Sequence, residues 1–558
     1  MRVQGKGVSG GIAIGRLFYL DGMRELLPQY AVADSEAEMQ RFLTAKELAA
    51  ERLNQLRQKA LIRVGREQSL IFEFHQMMLE DHKFLGIVED IIRNQHLNAE
   101  YAVNEAARQV SALFHNMDDP YFQARSDDVY DSARTLLDAL TGSAPRLMAA
   151  AEPVILAAQE LMPSETLQLE KENLLGFVIN EGSVDSHTSI LARTMGIPAV
   201  IHLPHLLKNH NGELVIVDGS TGQVIFSPDA QTLRHYQRMQ EDYHRYQQLL
   251  HTQIGLENVT KDGRRISLLA NIGSAEDVAA VLDNDAAGIG LFRSEFIYLG
   301  RGSAPEEEEQ FAIYRQVVQA MGGKRVVIRT LDIGADKRVA YFPDYQEENP
   351  AMGYRAIRIC LKEQELFVTQ LRAIYRASAF GRVSIMFPMI VSLEEVLAVK
   401  ALTEQVKQSL RAQGLPFSDQ VELGIMIETP AAAMISDLLA KEVDFFSVGT
   451  NDLVQYTLAA DRLNPKVEEI CNSHHPAILR LIRIAADAIH REGKRIGICG
   501  EMAADPQMTR AFLEMGIDEL SMAPSMILEI RRHLRSLDLS CDDGREQAKR
   551  ISVGPVPV

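Results

Sequence analysis

Apolar and polar positions change rhythm three times along this chain. Residues 1–20 set glycine against apolar residues, in Gly10-Gly-Ile-Ala-Ile-Gly15 and Leu17-Phe-Tyr-Leu20, which predicts a turn and strands whose partners lie far away in sequence. From Asp34 to Gly142 the spacing turns helical: Ala, Leu, Glu, Gln and Arg dominate, Pro and Gly are sparse, and Asp34 or Ser35 can cap. One run inside it, Ser69-Leu-Ile-Phe-Glu-Phe-His-Gln-Met-Met-Leu-Glu-Asp81, holds more apolar residues than one helix face needs, and so serves either the bundle core or a docking face. Short apolar runs return at 154–157, 176–179, 199–201, 214–217 and 224–226, with Asp218-Gly219 and Thr221-Gly222 as turns. A strand-rich body, 1–33 with 143–228, is thus expected to be interrupted by a helical bundle at 34–142.

Residues 229–252 read as one polar helix, either a connector within a linker at 229–255 or a solvated surface helix. A third rhythm then begins, short strands alternating with helical stretches. Eight strands are expected, at 267–272, 287–292, 326–331, 383–389, 422–427, 445–449, 495–499 and 519–522. That repeat predicts a (β/α)8 barrel over 256–545, followed by a tail at 546–558. The fold class is therefore multidomain α/β: a helix-interrupted α/β body, then a TIM-type barrel.

At 558 residues the chain exceeds one ordinary domain, and its net charge of −18 argues against a nucleic-acid or anionic-membrane role. Cys360, Cys471, Cys499 and Cys541 form no CxxC pair, which argues against zinc and disulfides and fits a reducing cytoplasm. The start of the sequence has no apolar signal core, and no run of 18 apolar residues occurs, so no membrane insertion is expected.

Chemistry concentrates at two places. In the first, the apolar run 174–179 leads into Glu181-Gly-Ser-Val-Asp-Ser-His187-Thr-Ser-Ile-Leu-Ala-Arg193, whose helical spacing stops at Gly196. His187 would sit in a first helical turn, where unpaired N–H groups favour anions and disfavour an imidazolium. A neutral imidazole there is a usable nucleophile, and a phosphate placed on it would find donors. Ser186 as an N-cap followed by an incidental histidine explains the same residues. The second place is the set of barrel strand ends, where this fold gathers its chemistry. There stand Arg293-Ser-Glu295, Arg329-Thr-Leu-Asp-Ile-Gly334, Glu428-Thr-Pro430, Gly449-Thr-Asn451-Asp452 and Cys499-Gly-Glu501, with Arg462 ten residues on. Several arginines at equivalent positions suit phosphate, because a guanidinium donates a planar pair of hydrogen bonds. Glu428 and Asp452 end adjacent strands and can share one hard cation, best Mg²⁺, which keeps open positions for water and substrate. Cys499 is either a small core residue or, beside a metal and arginines, a proton donor or acceptor.

A nucleophilic histidine on one body and an arginine-and-metal site on another suggest phosphoryl transfer from a small carboxylated phosphate to histidine. No Gly-x-x-x-x-Gly-Lys loop or kinase loop is present, so ATP is not the obvious donor. A donor leaving as an enolate would explain metal and acid together, with Cys499 protonating carbon to give pyruvate. The chain resembles Enzyme I of the bacterial phosphotransferase system, the phosphoenolpyruvate–protein phosphotransferase family, over nearly its whole length. Pro163-Ser-Glu-Thr166, Ser186-His-Thr-Ser189, Leu291-Phe-Arg-Ser-Glu-Phe296, Glu348-Asn-Pro350, Gly353-Tyr-Arg-Ala-Ile-Arg358, Phe387-Pro-Met389 and Glu428-Thr-Pro-Ala-Ala432 carry the likeness, with the strand-end motifs already quoted. The resemblance implies that His187 is phosphorylated and that Arg293, Arg329, Asn451, Asp452 and Arg462 hold phosphoenolpyruvate. It implies Mg²⁺ on Glu428 and Asp452, Cys499 as proton donor, an HPr-like phosphocarrier docking on 34–142, sugar transport or its regulation beyond it, and a homodimer through the barrel.

Departures stand beside the likeness. The family's Gly-Gly-Arg-Thr-Ser-His is Gly182-Ser-Val184-Asp185-Ser-His187 here, which loses a basic residue and gains a carboxylate unfavourable to a phosphohistidine nearby. Met162, Phe74 and Tyr130 replace a common Thr, Gly and Arg. These changes imply a paralogue with an altered HPr-like partner. Two rivals remain: a phosphoenolpyruvate synthase or pyruvate phosphate dikinase, for which the residues before Val154 are too few, and a catalytically weak phosphoenolpyruvate sensor signalling through a partner.

Overall fold

In the computed structural model the glycine-punctuated start forms three strands, β1 (Arg2–Gln4), β2 (Lys6–Ser9) and β3 (Ile12–Leu20). The structure describes residues 1–20, 28–63, 66–115, 126–142, 152–159, 161–166, 169, 171–181, 187–203, 207–299, 303–334, 347, 349–461, 464 and 466–540. The chain divides into two units, Met1–Gln247 and Gln248–Val558.

In the first unit β3 runs parallel to β4 (Val154–Ala158), which continues through β5 (Leu174–Ile179) to β6 (Ala199–Ile201). On its other edge β3 pairs antiparallel with β7 (Leu214–Asp218), which hairpins to β8 (Gln223–Phe226). The order is β1-β8-β7-β3-β4-β5-β6-β2. Only Gly5 separates β1 from β2, yet they lie at opposite ends of that order, so the sheet curls back on itself. The seam needs glycine: a Cβ on Gly7 would stand 2.1 Å from the Gly219 carbonyl oxygen. Successive residues face opposite ways. Ile155 and Val178 fill one apolar layer, and Leu156 and Phe177 fill the other.

The bundle inserted between β3 and β4 comprises α1 (Ser35–Arg63), α2 (Arg66–Leu79), α3 (His82–Arg93), α4 (Ala99–His115) and α5 (Ser126–Thr141). Asp34 caps α1, its carboxylate accepting from the Glu36 and Ala37 N–H groups, both at 3.0 Å. The apolar-rich run around α2 divides: Phe72, Met78 and Leu79 join the bundle core, whereas Met77 is 69% exposed. Then come a short helix, α6 (Pro163–Thr166), and α7 (His187–Met195), ended by Gly196 at φ +64°. The polar helix α8 (Ala230–His251) lays Leu233 and Tyr236 against Ile12, Ile14, Ile216 and Ile225, and the division between units falls within it.

The second unit is a closed barrel of parallel strands: β9 (Ser267–Ile272), β10 (Ile289–Arg293), β11 (Val326–Arg329), β12 (Val383–Phe387), β13 (Glu422–Ile427), β14 (Phe445–Gly449), β15 (Arg495–Cys499) and β16 (Glu519–Met522). β16 pairs with β9 to close it. Five strands keep the limits expected from the pattern. The other three depart by two residues at an end, for local reasons. β10 starts late because Gly288 passes so near β11 that a Cβ would lie 2.6 Å from the Arg325 carbonyl oxygen. β12 ends early because Met389 turns to φ +57°. β11 ends early because its ladder with β12 stops at Arg329↔Met386. Among the described residues no helix is long and apolar enough to cross a membrane.

Candidate active site

The C-terminal ends of the barrel strands place Arg293, Arg329, Glu428, Asn451, Asp452 and Cys499 around one mouth. Arg329 is buried and held from two sides, by Glu295 at 2.6 Å and Asp332 at 2.9 Å. Burial alone would loosen its proton. The Glu295, Asp332, Glu428 and Asp452 carboxylates outweigh that and hold the guanidinium charged, above its ordinary value.

Glu428 is fully buried. Its Oε1 accepts from the Met389 N–H at 2.5 Å, while Oε2 has no hydrogen-bond partner. Burial first, then Asp452 and Asp332, push this carboxyl well above the usual range, against the pull of Arg329. A buried carboxylate oxygen without a donor is costly unless a cation meets it. Room beside it is kept by Gly449, where a Cβ would lie 2.8 Å from that oxygen. Glu428 and Asp452 therefore fit a hard cation that keeps most of its other ligands from water or substrate. Among the described residues no group of three His, Cys, Asp or Glu side chains could hold a metal without such help.

Cys499 sits where the apolar interior meets this mouth. It packs with Leu291, Val327, Met386, Met426 and Phe445, and its thiol donates to the Val448 carbonyl at 3.2 Å. Burial pushes the thiol up to about 11, with Glu428 adding to the rise, so it carries its proton at neutral pH. It is a core side chain, and its thiol keeps its proton at the edge of the mouth. Gly500, at φ +114°, leads away from it toward Glu501, whose carboxylate accepts from Asn451 Nδ2 at 3.5 Å.

Arg355 and Gln370 escaped sequence reasoning, and Asp332 and Ser294 entered it only inside the strand-end runs. Asp332 binds both Arg329 and Arg355, the latter at 2.9 Å, and Arg355 also donates to the Tyr456 hydroxyl at 3.4 Å. Behind Arg329, Gln370 donates to the Ser294 hydroxyl at 3.0 Å, and that hydroxyl donates to the Arg329 carbonyl at 2.6 Å. The signal for Arg355 lay in Gly353-Tyr-Arg, but no strand end marks it. Ala356 beside it holds φ +51° and Met389 beside Glu428 holds φ +57°, so both flanks of the mouth are in a left-handed conformation costly for residues other than glycine.

In the other unit, His187 is the first residue of α7. Thr188 and Ser189 are buried behind it. The His187 side chain, Val184, Asp185, Ser186, Arg462, Glu348 and the tail 546–558 lie outside the described residues. Met162 donates its backbone N–H to Glu165 Oε2 at 3.0 Å. In the bundle Phe74 packs edge-on against Phe114, with centroids 6.2 Å apart, and Tyr130 rests half-buried on the core.

Comparison with known proteins covers both units. Residues 4–125 match the PEP-utilising enzyme N-terminal family, 150–222 its mobile domain and 247–539 its PEP-binding domain. A protein of Bacillus sp. (strain S) named phosphoenolpyruvate-protein phosphotransferase is 42% identical over 553 residues, covering 98% of this chain and 94% of its own. Proteins of the same name from Staphylococcus carnosus and Bacillus subtilis are each 41% identical, covering 97% and 96% of this chain and 94% of their own.

Proposed function

This chain belongs to the phosphoenolpyruvate–protein phosphotransferase family, and on that premise we propose that it transfers the phosphoryl group of phosphoenolpyruvate to His187 and from there to an HPr-like phosphocarrier, serving sugar transport or its regulation. The observation that carries the chemistry is a protonated, buried Cys499 beside a fully buried Glu428 whose second oxygen has no donor. Arg293 and Arg329, with Arg462, bind the phosphate, and Asn451 orients the carboxylated end. Glu428 and Asp452 would hold Mg²⁺, which when bound would supply positive charge beside the developing enolate. His187 forms an N–P bond as the bridging O–P bond breaks, and the electron pair left on oxygen becomes the enolate. Cys499 gives its proton to the enolate carbon, releasing pyruvate, and recovers it from solvent.

Histidine and barrel mouth stand on different units, so transfer requires the mobile domain to visit the barrel and then a partner. The half-exposed Phe74 and exposed Met77 on α2 give the bundle an apolar surface suited to that partner. Replacing 34–142 with the corresponding segment of a general Enzyme I is expected to change partner preference, and unchanged preference would sink the altered-partner idea. The enzyme is expected to work in the cytoplasm as a homodimer through its barrel.

The test is to mix the protein with phosphoenolpyruvate and Mg²⁺ and follow pyruvate together with acid-labile, base-stable phosphate on the chain. One phosphate per chain is expected, absent from His187→Ala. Cys499→Ala should lose pyruvate release by roughly 10²-fold or more. No label on folded protein would favour a sensor of phosphoenolpyruvate instead.

A further inference from the structure

A buried polar cluster that the mechanism does not use lies where the bundle meets the α/β body. Asp131, on α5, is fully buried, and its carboxylate accepts from both the N–H and the hydroxyl of Ser164 on α6, the N–H at 3.1 Å. One turn further along α5, Arg134 pairs with Glu165 at 3.2 Å. Behind Asp131 stands His75 of α2, also fully buried. Its Nδ1 is 3.7 Å from Asp131 and its Nε2 3.8 Å from Asp128, and neither nitrogen makes a hydrogen bond. The Phe72 ring closes over the imidazole, centroids 5.4 Å apart.

So much buried charge is costly, and apolar residues would hold a bundle at least as well. The best-attested use of such groups is to fix one register between packed elements. Here the groups cross from one domain to the other. Their target, α6, packs in turn against α7, the helix that begins at His187.

We propose that Asp131 with Ser164, and Arg134 with Glu165, form a two-point clasp that positions α6 and, through it, the start of α7. Asp131 and Ser164 are positioning residues: they act on His187 through a helix and touch no substrate. The inference rests on His187 being the phosphoryl acceptor. A small error in the direction of a nucleophile slows the reaction without changing substrate affinity, because phosphoenolpyruvate binds in the barrel.

The test uses the full chain carrying Ser164→Ala, Asp131→Asn or both. Single-turnover formation of phosphohistidine is measured over a range of phosphoenolpyruvate concentrations, alongside amide hydrogen exchange. Ser164→Ala keeps the buried charge and one of the two hydrogen bonds, so it guards against loss of folding. The maximal rate should fall on the order of 10-fold in each variant. The half-saturating concentration should stay within about two-fold. Exchange should quicken in 161–166 and 188–195 while the barrel strands stay protected, and the double variant should lose little more than the worse single one. An unchanged maximal rate in Ser164→Ala, or an equal loss in half-saturation, overturns the clasp. If the unaltered protein forms no phosphohistidine, the functional reading fails. Exchange then decides the clasp by itself, and unchanged exchange in 188–195 overturns it.

Discussion

The two ends of the barrel use the same residue types to opposite effect. At the N-terminal end Arg325 pairs with Glu519 and lies 3.7 Å from Glu422, and Arg495 pairs with Glu422 at 2.5 Å and with Glu519 at 3.2 Å. Both guanidinium groups stand over the Phe445 ring, 5.5 and 5.3 Å from its centre. Arg382 reaches Glu422 as well, at 3.8 Å, so three arginines meet two glutamates and each charge has an opposite beside it. At the C-terminal end Glu295, Asp332, Glu428 and Asp452 crowd Arg329, and one buried oxygen of Glu428 faces no donor. Phe445 and Cys499 belong to the apolar layer between the two ends. A buried ionic cluster whose carboxylates all meet cations is a plug, whereas one with an unmet carboxylate oxygen at the mouth is a candidate site.

The comparison breaks most visibly at Glu428. Glu428→Gln should abolish phosphohistidine formation, a loss on the order of 10³-fold or more, while leaving the metal-free protein more stable by about 1 kcal/mol. The sign follows from a raised carboxyl. Its folded form grips a proton that the unfolded chain releases near pH 4, so the wild-type protein loses stability as pH rises above that value. The glutamine variant does not. Thermal unfolding from pH 4 to 8 without metal, paired with the labelling assay, checks both halves. A destabilised variant would mean that Glu428 serves the fold.

At the other end Glu422→Gln should do the reverse. The pairing is a little over a quarter exposed, at 27% for the Glu422 side chain, so its loss should cost about 2 kcal/mol, less than a fully buried pair. Activity per folded molecule should be unchanged. Burial would raise the Glu422 carboxyl, but Arg495 and Ser384 outweigh it and hold it below its usual range. Its contribution is therefore present above about pH 4 and lost as pH falls through the depressed value, so the two unfolding curves should converge in acid. Urea unfolding at pH 7 and pH 3 reads this. A drop in the phosphorylation rate would show that the two ends are coupled.

These contrasts explain what the sequence could reveal. Eight short apolar runs at barrel spacing were legible because each strand is buried on both faces, and residues that follow a strand fall at the mouth by topology alone. Arg293, Arg329, Glu428, Asp452 and Cys499 come to one end by that rule. Arg355 obeys no such rule. It lies in chain well past β11, and only the fold turns it back onto Asp332, which follows that strand directly. The curl of the first sheet was hidden too, since β1 and β2 are neighbours in sequence and opposite edges in the sheet. The clasp was hidden for the same reason: 33 residues separate Asp131 from Ser164.

The smallest expected effect tests whether backbone strain serves the mouth. Met389 holds φ +57° and donates its N–H to Glu428. If the strained turn exists to aim that N–H, glycine should adopt it freely, and Met389→Gly should relieve about 1 kcal/mol of backbone cost. Against that gain stand a lost buried side chain, which costs more, and a looser unfolded chain. Net stability should therefore fall by roughly 1–2 kcal/mol. The phosphorylation rate should fall by only about two- to three-fold, because the donor remains while its direction loosens. Met389→Ala bounds the strain: it keeps the turn's cost and the Cβ, and it spares the looser unfolded chain, so the two variants should be equal within about 1 kcal/mol. If alanine is better by more than that, the left-handed turn carries no strain of its own, and the orientation of Glu428 follows from packing alone.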